Sequence, residues 1–259
     1  MKPLAIAVVC LAAAVAAQQP SFQSRVDVVT INATVTGRDG RFVSGLHKED
    51  FSVFEDNQRC DIVYFEDEST PVSLGILLDA SGSMGDNRGV KLALAKELIS
   101  RLVTHDLEAA TEWMFARFTS TVVVAQEWTT DRAAIVQPLR ETRATGDTSL
   151  YDAIALSIPL VQEGRFQKKS LLVISDEQDT KSLLHRDEAL RRIGEHDVRL
   201  RIVGVQKDAQ EGMAYAAEEL RHQYLLGYAT MARDDGRRHQ IRVDVRGRGR
   251  TVQAREALN

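Results

Sequence analysis

The stretch Ser73–Gly85, SLGILLDASGSMG, constrains this chain more than any other. Its apolar run, Leu74 with Ile76, Leu77 and Leu78, ends abruptly at Asp79. A continuous apolar run bounded by turn residues predicts a strand buried on both faces. Ser81 and Ser83 follow among small residues, and a helical pattern comes next. The Asp-x-Ser-x-Ser therefore falls where a strand gives way to a helix, at the C-terminal edge of a parallel sheet, where open α/β folds place their ligands. One carboxylate and two hydroxyls are hard oxygen donors, suited to Mg²⁺, Mn²⁺ or Ca²⁺ and not to zinc or copper. Gly82 and Gly85 allow the tight bend that would turn both hydroxyls to one point. Asp and Ser are equally at home as helix N-caps, so this loop alone leaves a cap and a cation site both open.

Two later stretches favour the cation. Thr145–Ile154, TGDTSLYDAI, reads as a glycine-containing loop before a helix, and Ser170–Thr180, SLLVISDEQDT, as a second apolar run ending in an acid. They add a hydroxyl, Thr148, and a carboxylate, Asp176, each at a predicted sheet-edge loop. The ordered set resembles the metal-ion-dependent adhesion site of the von Willebrand factor type A domain, with Asp79, Ser81 and Ser83 matching its first motif, Thr148 its second and Asp176 its third. The resemblance covers about residues 70–225. It implies that Ser81, Ser83 and Thr148 touch an Mg²⁺ (or Mn²⁺ or Ca²⁺) ion, that Asp79 and Asp176 act largely through waters, and that an exchangeable position captures an Asp or Glu carboxylate of a partner protein. Asp152 and Asp179 read as loop hydrogen-bond acceptors, with second-site ligation the alternative.

The flanks predict a different architecture. Val26–Thr36 alternates, with Val29, Ile31, Ala33 and Val35 on one face and Thr30, Asn32 and Thr34 on the other, as in a half-buried strand. A short strand at Phe42 and Val43 and two more at Phe51–Phe54 and Cys60–Phe65 follow, the last pair joined by Glu55-Asp56-Asn57. So few strands have too little core to stand alone. The missing ones are read at the other end, in Gln223–Ala229, Gln240–Val245 and Thr251–Arg255, with Asp235-Gly236 as a hairpin turn. The fold class expected is thus α/β, a doubly wound, mostly parallel sheet, inserted in a small antiparallel β-sandwich built from both termini. GLHKEDFSVFEDN and QYLLGY also resemble the flanks of the VWFA-related proteins common in Acidobacteria.

The divisions expected are a signal peptide over 1–17, N-terminal sandwich strands over 18–68, the metal-binding domain over 69–222 and C-terminal sandwich strands over 223–259. Met1–Ala17 carries one lysine, a short apolar core and small residues for cleavage, so the chain is expected to be secreted or periplasmic, with no membrane span once the peptide is cut. Cys60 is then the only cysteine and is expected to be buried and inert. A formal net charge of −4 shows no global basic field for nucleic acid. The arginines of the tail alternate with apolar residues and read as a solvated strand face. The Asn32 sequon reads as accidental.

Within the inserted domain, helices are predicted over Asn87–Val103, Asp131–Leu139 with Thr130 as cap, Tyr151–Val161 kinked or ended by Pro159, Asp187–Gly194 and Ala209–Arg221. Strands are predicted over Glu112–Phe118, Val122–Gln126, Leu171–Ser175 and Val198–Val205, with the second making an antiparallel edge. The chain departs from the family twice. It has no room for a sixth strand after Val205, which leaves a sheet edge to be covered, and it carries Glu177 where the family has glycine. Two other classes are weighed: a structural or assembly module with a vestigial metal site, and a Mg²⁺-dependent hydrolase with Asp79 as nucleophile. The hydrolase lacks a second acid two residues on, no Gly-x-Ser-x-Gly elbow surrounds Ser83, and none of the six histidines sits in a motif. No enzyme is expected.

Overall fold

The computed structural model describes residues 27–85, 89–107, 112–230, 237–254 and 257–258. The segment 1–17 and the Asp235-Gly236 turn lie outside them.

A five-stranded sheet occupies the middle of the chain. Its strands are β5 (Val72–Asp79), β6 (Glu112–Phe118), β7 (Val122–Thr129), β8 (Lys168–Ser175) and β9 (Val198–Gly204); β1–β4 precede them in the chain. The order is β7-β6-β5-β8-β9. All contacts are parallel except β6 with β7, which puts the antiparallel strand at an edge as expected. Every residue of the central β5 is buried, which is why its sequence reads as an unbroken apolar run. Helices cover both faces. On one, α1 (Val90–Arg101), α2 (Ala133–Glu141) and α5 (Ala209–Arg221) share a core with Leu74, Ile76 and Leu78. On the other, α3 (Leu150–Gln162) and α4 (Arg186–Glu195) pack on Leu77, Leu171 and Val173.

Pro159 does not end α3, which runs on to Gln162; it removes a single ladder donor and the rest of the turn holds through packing of Val161. The first helix narrows to Val90–Arg101 and then widens into one π-helical turn over Leu102–Asp106. The residue that precedes α2 is Arg132, not Thr130, and it makes no side-chain cap bond; Asp131 Oδ1 accepts from Ala133 N at 2.9 Å.

The termini make two four-stranded antiparallel sheets facing each other. One has the order β12-β1-β10-β4, from β1 (Val28–Thr36), β4 (Ile62–Glu66), β10 (Tyr224–Ala229) and β12 (Thr251–Ala254). The other has the order β13-β11-β2-β3, from β2 (Phe51–Glu55), β3 (Gln58–Cys60), β11 (His239–Val245) and β13 (Ala257–Leu258). Ile31, Val35, Tyr224 and Tyr228 of the first meet Phe51, Val53, Cys60 and Ile241 of the second in one core. Cys60 is a free, buried thiol.

Three local expectations are corrected. Cys60–Phe65 is not one strand: the chain breaks at Asp61, so that Gln58–Cys60 pairs with β2 in one sheet and Ile62–Glu66 crosses to the other. A strand that must serve two facing sheets has to bend between them. Gln223–Ala229 and Gln240–Val245 are not hairpin partners, because β10 and β11 belong to opposite sheets. The Phe42–Val43 strand is reduced to a single bridge, Thr36 with Phe42.

The two bodies meet at the edge that the short α/β sheet leaves open. Among the described residues no strand follows β9 in the five-stranded sheet. Asn32 and Thr34, read as the wet face of β1, are buried against that edge instead. Asn32 N donates to Asp197 Oδ1 at 2.8 Å and Asn32 Nδ2 to Asp197 O at 2.9 Å. Arg199 of β9 reaches Thr34 Oγ1 at 3.3 Å. Burial of Asn32 also rules out the sequon as an attachment site in the folded chain. The sandwich thus covers the edge that an extra strand would have filled. The chain leaves it through β4 and returns through β10, neighbouring strands in which Leu225 pairs with Glu66.

Candidate functional site

The three sequence motifs converge at the C-terminal ends of β5 and β8. Asp79 closes β5 and is fully buried. Its Oδ1 accepts from Ser81 N at 2.9 Å, which folds the loop back on the strand. Its Oδ2 accepts from Ser175 Oγ at 2.6 Å, which ties it to the neighbouring strand. Burial pushes the Asp79 carboxyl above its ordinary range, against the pull of those hydrogen bonds.

From Asp79 the polar set runs across the sheet edge. Ser81 Oγ lies 3.0 Å from Ser83 Oγ, and Ser83 Oγ donates to Asp176 Oδ1 at 3.2 Å. Ser81 and Asp176 are buried and Ser83 is half-buried, so the set opens to solvent on the Ser83 side. The Thr148 loop is laced to both others through its backbone. Gly82 N donates to Gly146 O and Thr145 N to Ala80 O, each at 2.8 Å. Thr148 N donates to Thr180 Oγ1 at 3.1 Å, while Thr148 O accepts from Thr180 N and Lys181 N at 2.9 Å. Gly146 turns this loop with φ of 72°, the left-handed region that glycine enters without strain. Asp79, Ser81, Ser83 and Asp176 therefore form one hydrogen-bonded chain, with the buried Thr148 held against it by the first and third loops.

Asp152 and Asp179 are loop acceptors. Asp152 takes Leu184 N on Oδ1 and Leu183 N on Oδ2, each at 2.9 Å, and Asp179 takes Leu150 N at 2.9 Å. Their work is to pin the Asp176–His185 segment to the start of α3. Glu177 sits at φ 61°, a left-handed conformation that disfavours a side chain. Its carboxylate turns sideways along the edge, against Gly204 at the end of β9.

Two members of the site escape a reading of the motifs. Ser175, the last residue of β8, supplies the hydroxyl on Asp79, and its Oγ also accepts from Glu177 N at 2.9 Å. Lys91, in the first turn of α1, donates from Nζ to Asp176 Oδ2 at 2.7 Å. A lysine at a helix N-terminus stands against the helix dipole, and that unfavourable placement is the sequence signal that could have singled it out.

The donor set fits a hard cation: two carboxylates and three hydroxyls, with no sulfur or imidazole. Among the described residues no three His, Cys, Asp or Glu side chains gather as a metal-binding group, so any ion held here would lean on hydroxyl oxygen.

Residues 74–178 match the family model described as the von Willebrand factor type A domain, a span that includes all five of these residues. This part of the chain is a von Willebrand factor type A domain. Solved structures match more distantly. Proximal thread matrix protein 1 from the mussel byssus aligns over 75% of this chain and 50% of its own, at 11% identity and a TM-score of 0.51. A von Willebrand factor type A protein from Catenulispora acidiphila aligns over 91% of this chain and 74% of its own, at 12% identity and a TM-score of 0.48. BatB, a conserved hypothetical protein from Bacteroides thetaiotaomicron, aligns over 51% of this chain at 24% identity and a TM-score of 0.45. This chain spans 66% of the BatB structure's length. At these identities the likeness is one of fold. No curated protein sequence matches the chain. Among the described residues no helix is long and apolar enough to cross a membrane.

Proposed function

We propose that this chain is a protein-binding module of the cell envelope or extracellular space, whose type A domain holds a divalent cation and captures a partner's carboxylate. The observation that carries this reading is the continuous run from Asp79 through Ser81 and Ser83 to Asp176, at a sheet edge open on the Ser83 side. Ser81, Ser83 and Thr148 would hold Mg²⁺, Mn²⁺ or Ca²⁺ directly, with Asp79 and Asp176 acting through water. A bound ion would supply an electrophilic position that an Asp or Glu side chain from another protein can fill. This chain's own part is to preorganise the donors: Ser175 and the Ser81 amide orient Asp79, and Asp152 and Asp179 fix the loop that carries Asp176. Export across a membrane, expected from residues 1–17, belongs to the same proposal.

A binding role fits better than catalysis. Asp79, the one candidate nucleophile, is fully buried with both carboxylate oxygens engaged. A structural module without a metal is the second reading, favoured by the Lys91 ammonium already seated on Asp176. Calorimetric titration with Mg²⁺ and Mn²⁺ separates the two. Heat of binding that disappears in Asp79→Ala supports the module as a cation-dependent receptor. Absence of binding, with no loss of partner capture on chelation, overturns it in favour of the structural reading.

A further inference from the structure

Both oxygens of Asp176 are already engaged by the chain's own donors. Oδ1 accepts from Ser83 Oγ at 3.2 Å and Gln178 N at 3.4 Å, and Oδ2 accepts from Lys91 Nζ at 2.7 Å. The pair is asymmetric. The Asp176 side chain is 2% exposed, while that of Lys91 is 30% exposed. The carboxylate is fixed by its loop; the lysine reaches it on a flexible stem from the rim.

An ammonium and a hydrated divalent ion ask the same thing of this carboxylate. Each donates hydrogen bonds to it from a positive centre, one through N–H and the other through coordinated water. They cannot both occupy Oδ2 at full strength, and as like charges a few ångströms apart they repel. The formal charges sharpen this. Asp79 and Asp176 bring two negative charges, and Lys91 cancels one of them before any ion arrives.

We propose that Lys91 is a tethered competitor for the divalent cation, which sets the affinity of the type A site by holding Asp176. The inference rests on the reading of Asp79, Ser81, Ser83, Thr148 and Asp176 as a cation site. An ion binds by taking Asp176 from the lysine, and the released ammonium remains at the rim. The site then carries one more positive charge than its oxygen donors alone would leave, and this favours an anionic side chain from the partner. Lys91 is a positioning and specificity residue here, not an ion ligand.

The test is calorimetric titration of the full chain with Mg²⁺ and with Mn²⁺, in the wild type and in Lys91→Met, Lys91→Gln, Lys91→Arg and Asp79→Ala. Lys91→Met keeps the length and apolar stem without the charge, and is expected to tighten divalent binding about tenfold, a modest value because the lysine is partly exposed. Lys91→Gln is expected to tighten it in the same direction and guards against a packing effect of methionine. Lys91→Arg keeps the charge and is expected to stay within about twofold of the wild type. If Lys91→Met and Lys91→Gln bind no tighter than the wild type while Asp79→Ala abolishes binding, the competitor is overturned and the cation site stands. If neither the wild type nor any Lys91 variant binds an ion, the site reading fails and the competitor with it.

Discussion

Glu219 of α5 lies between Arg199 and Arg201 of β9, accepting from Arg199 Nε at 2.9 Å on one oxygen and from Arg201 Nε at 2.7 Å on the other. The Glu219 side chain is 2% exposed and the arginines 19% and 32%. Arg199 carries the contact onward to Gln253 Oε1 of β12 at 2.6 Å. One carboxylate thus joins the last helix of the type A domain, its edge strand and the sandwich.

Burial works against an ionised Glu219. The hydrogen bonds and charges of Arg201 and Arg199 outweigh it and hold the carboxyl below the usual range. A depressed carboxyl stabilises the fold above its unfolded value, and that contribution is lost as pH falls through the lower folded value. Glu219→Gln is expected to cost about 2–3 kcal/mol near neutral pH, on the low side for a broken buried pair because both guanidinium groups keep some solvent. The gap between variant and wild type should narrow as the pH is lowered through the carboxylate range below about 4. Denaturant unfolding across pH measures both.

Asp79 predicts the opposite sign. Burial raises its carboxyl, so the fold is least content with the ionised form, and stability falls as pH rises from the unfolded value through the raised folded one. Asp79→Asn in chelator at neutral pH is expected to raise the melting temperature by about 2–4 °C. That gain should vanish in acid, where the wild-type carboxyl is protonated. The same variant should lose the response to Mg²⁺ in calorimetry. A residue that weakens the fold while serving the site is expected of a functional group.

Glu177 at φ 61° costs strain that glycine would not. Glu177→Gly is expected to stabilise by about 0.5–1 kcal/mol, the relief being reduced by the greater freedom of glycine in the unfolded chain. Glu177→Ala keeps the strain and should bring no gain. Because the carboxylate rests beside Gly204, divalent affinity should change by no more than about twofold, an amount set against tenfold per 1.4 kcal/mol. Chemical denaturation and calorimetry on both variants check this.

Gly75, in the middle of β5, lies close against Val161 of α3. A Cβ there would meet Val161 Cγ2 at 2.9 Å and Met114 Cε at 3.0 Å. The methionine end can yield, but the branched valine on a packed helix cannot do so freely. Gly75→Ala is expected to destabilise by about 1–2 kcal/mol, and Gly75→Val by more. Both should appear as shifts of the denaturation midpoint with an unchanged slope.

Much of this was written plainly in the residues. The unbroken apolar run before Asp79 and the one before Asp176 placed two neighbouring parallel strands, because only strands covered on both faces are so uniformly apolar. The alternation in Val26–Thr36 located the sandwich core through Ile31, Ala33 and Val35. It misread Asn32 and Thr34, since alternation reports polarity and a polar face can be buried against another polar surface when Asp197 and Arg199 supply partners, here for Asn32 N and Nδ2 and Thr34 Oγ1 though not for Asn32 Oδ1. Cys60–Phe65 looked like one strand because a crossing between sheets leaves no mark in hydrophobic period; Asp61 is its only trace. At the site, motif spacing selected the oxygens but not their partners. Ser175 and Lys91 enter through side-chain geometry between distant segments, which spacing along the chain does not encode.

The pairing of β1 has a consequence for how such a chain becomes complete. Its two sheet neighbours, β10 and β12, are both made after the whole type A domain: Val28 aligns with Ala229 and Thr36 with Thr251. Until those strands are available, β1 has near it in sequence, among the described residues, the Thr36–Phe42 bridge and the bond from Val43 N to Val35 O at 2.8 Å. The inserted domain has its own core and can fold during that interval, bringing the ends of β4 and β10 together as it does so. A chain stopped short of Tyr224 would keep that domain and leave β1 and β4 as unpaired, aggregation-prone edges. Pairing of β1 therefore depends on residues made after the type A domain.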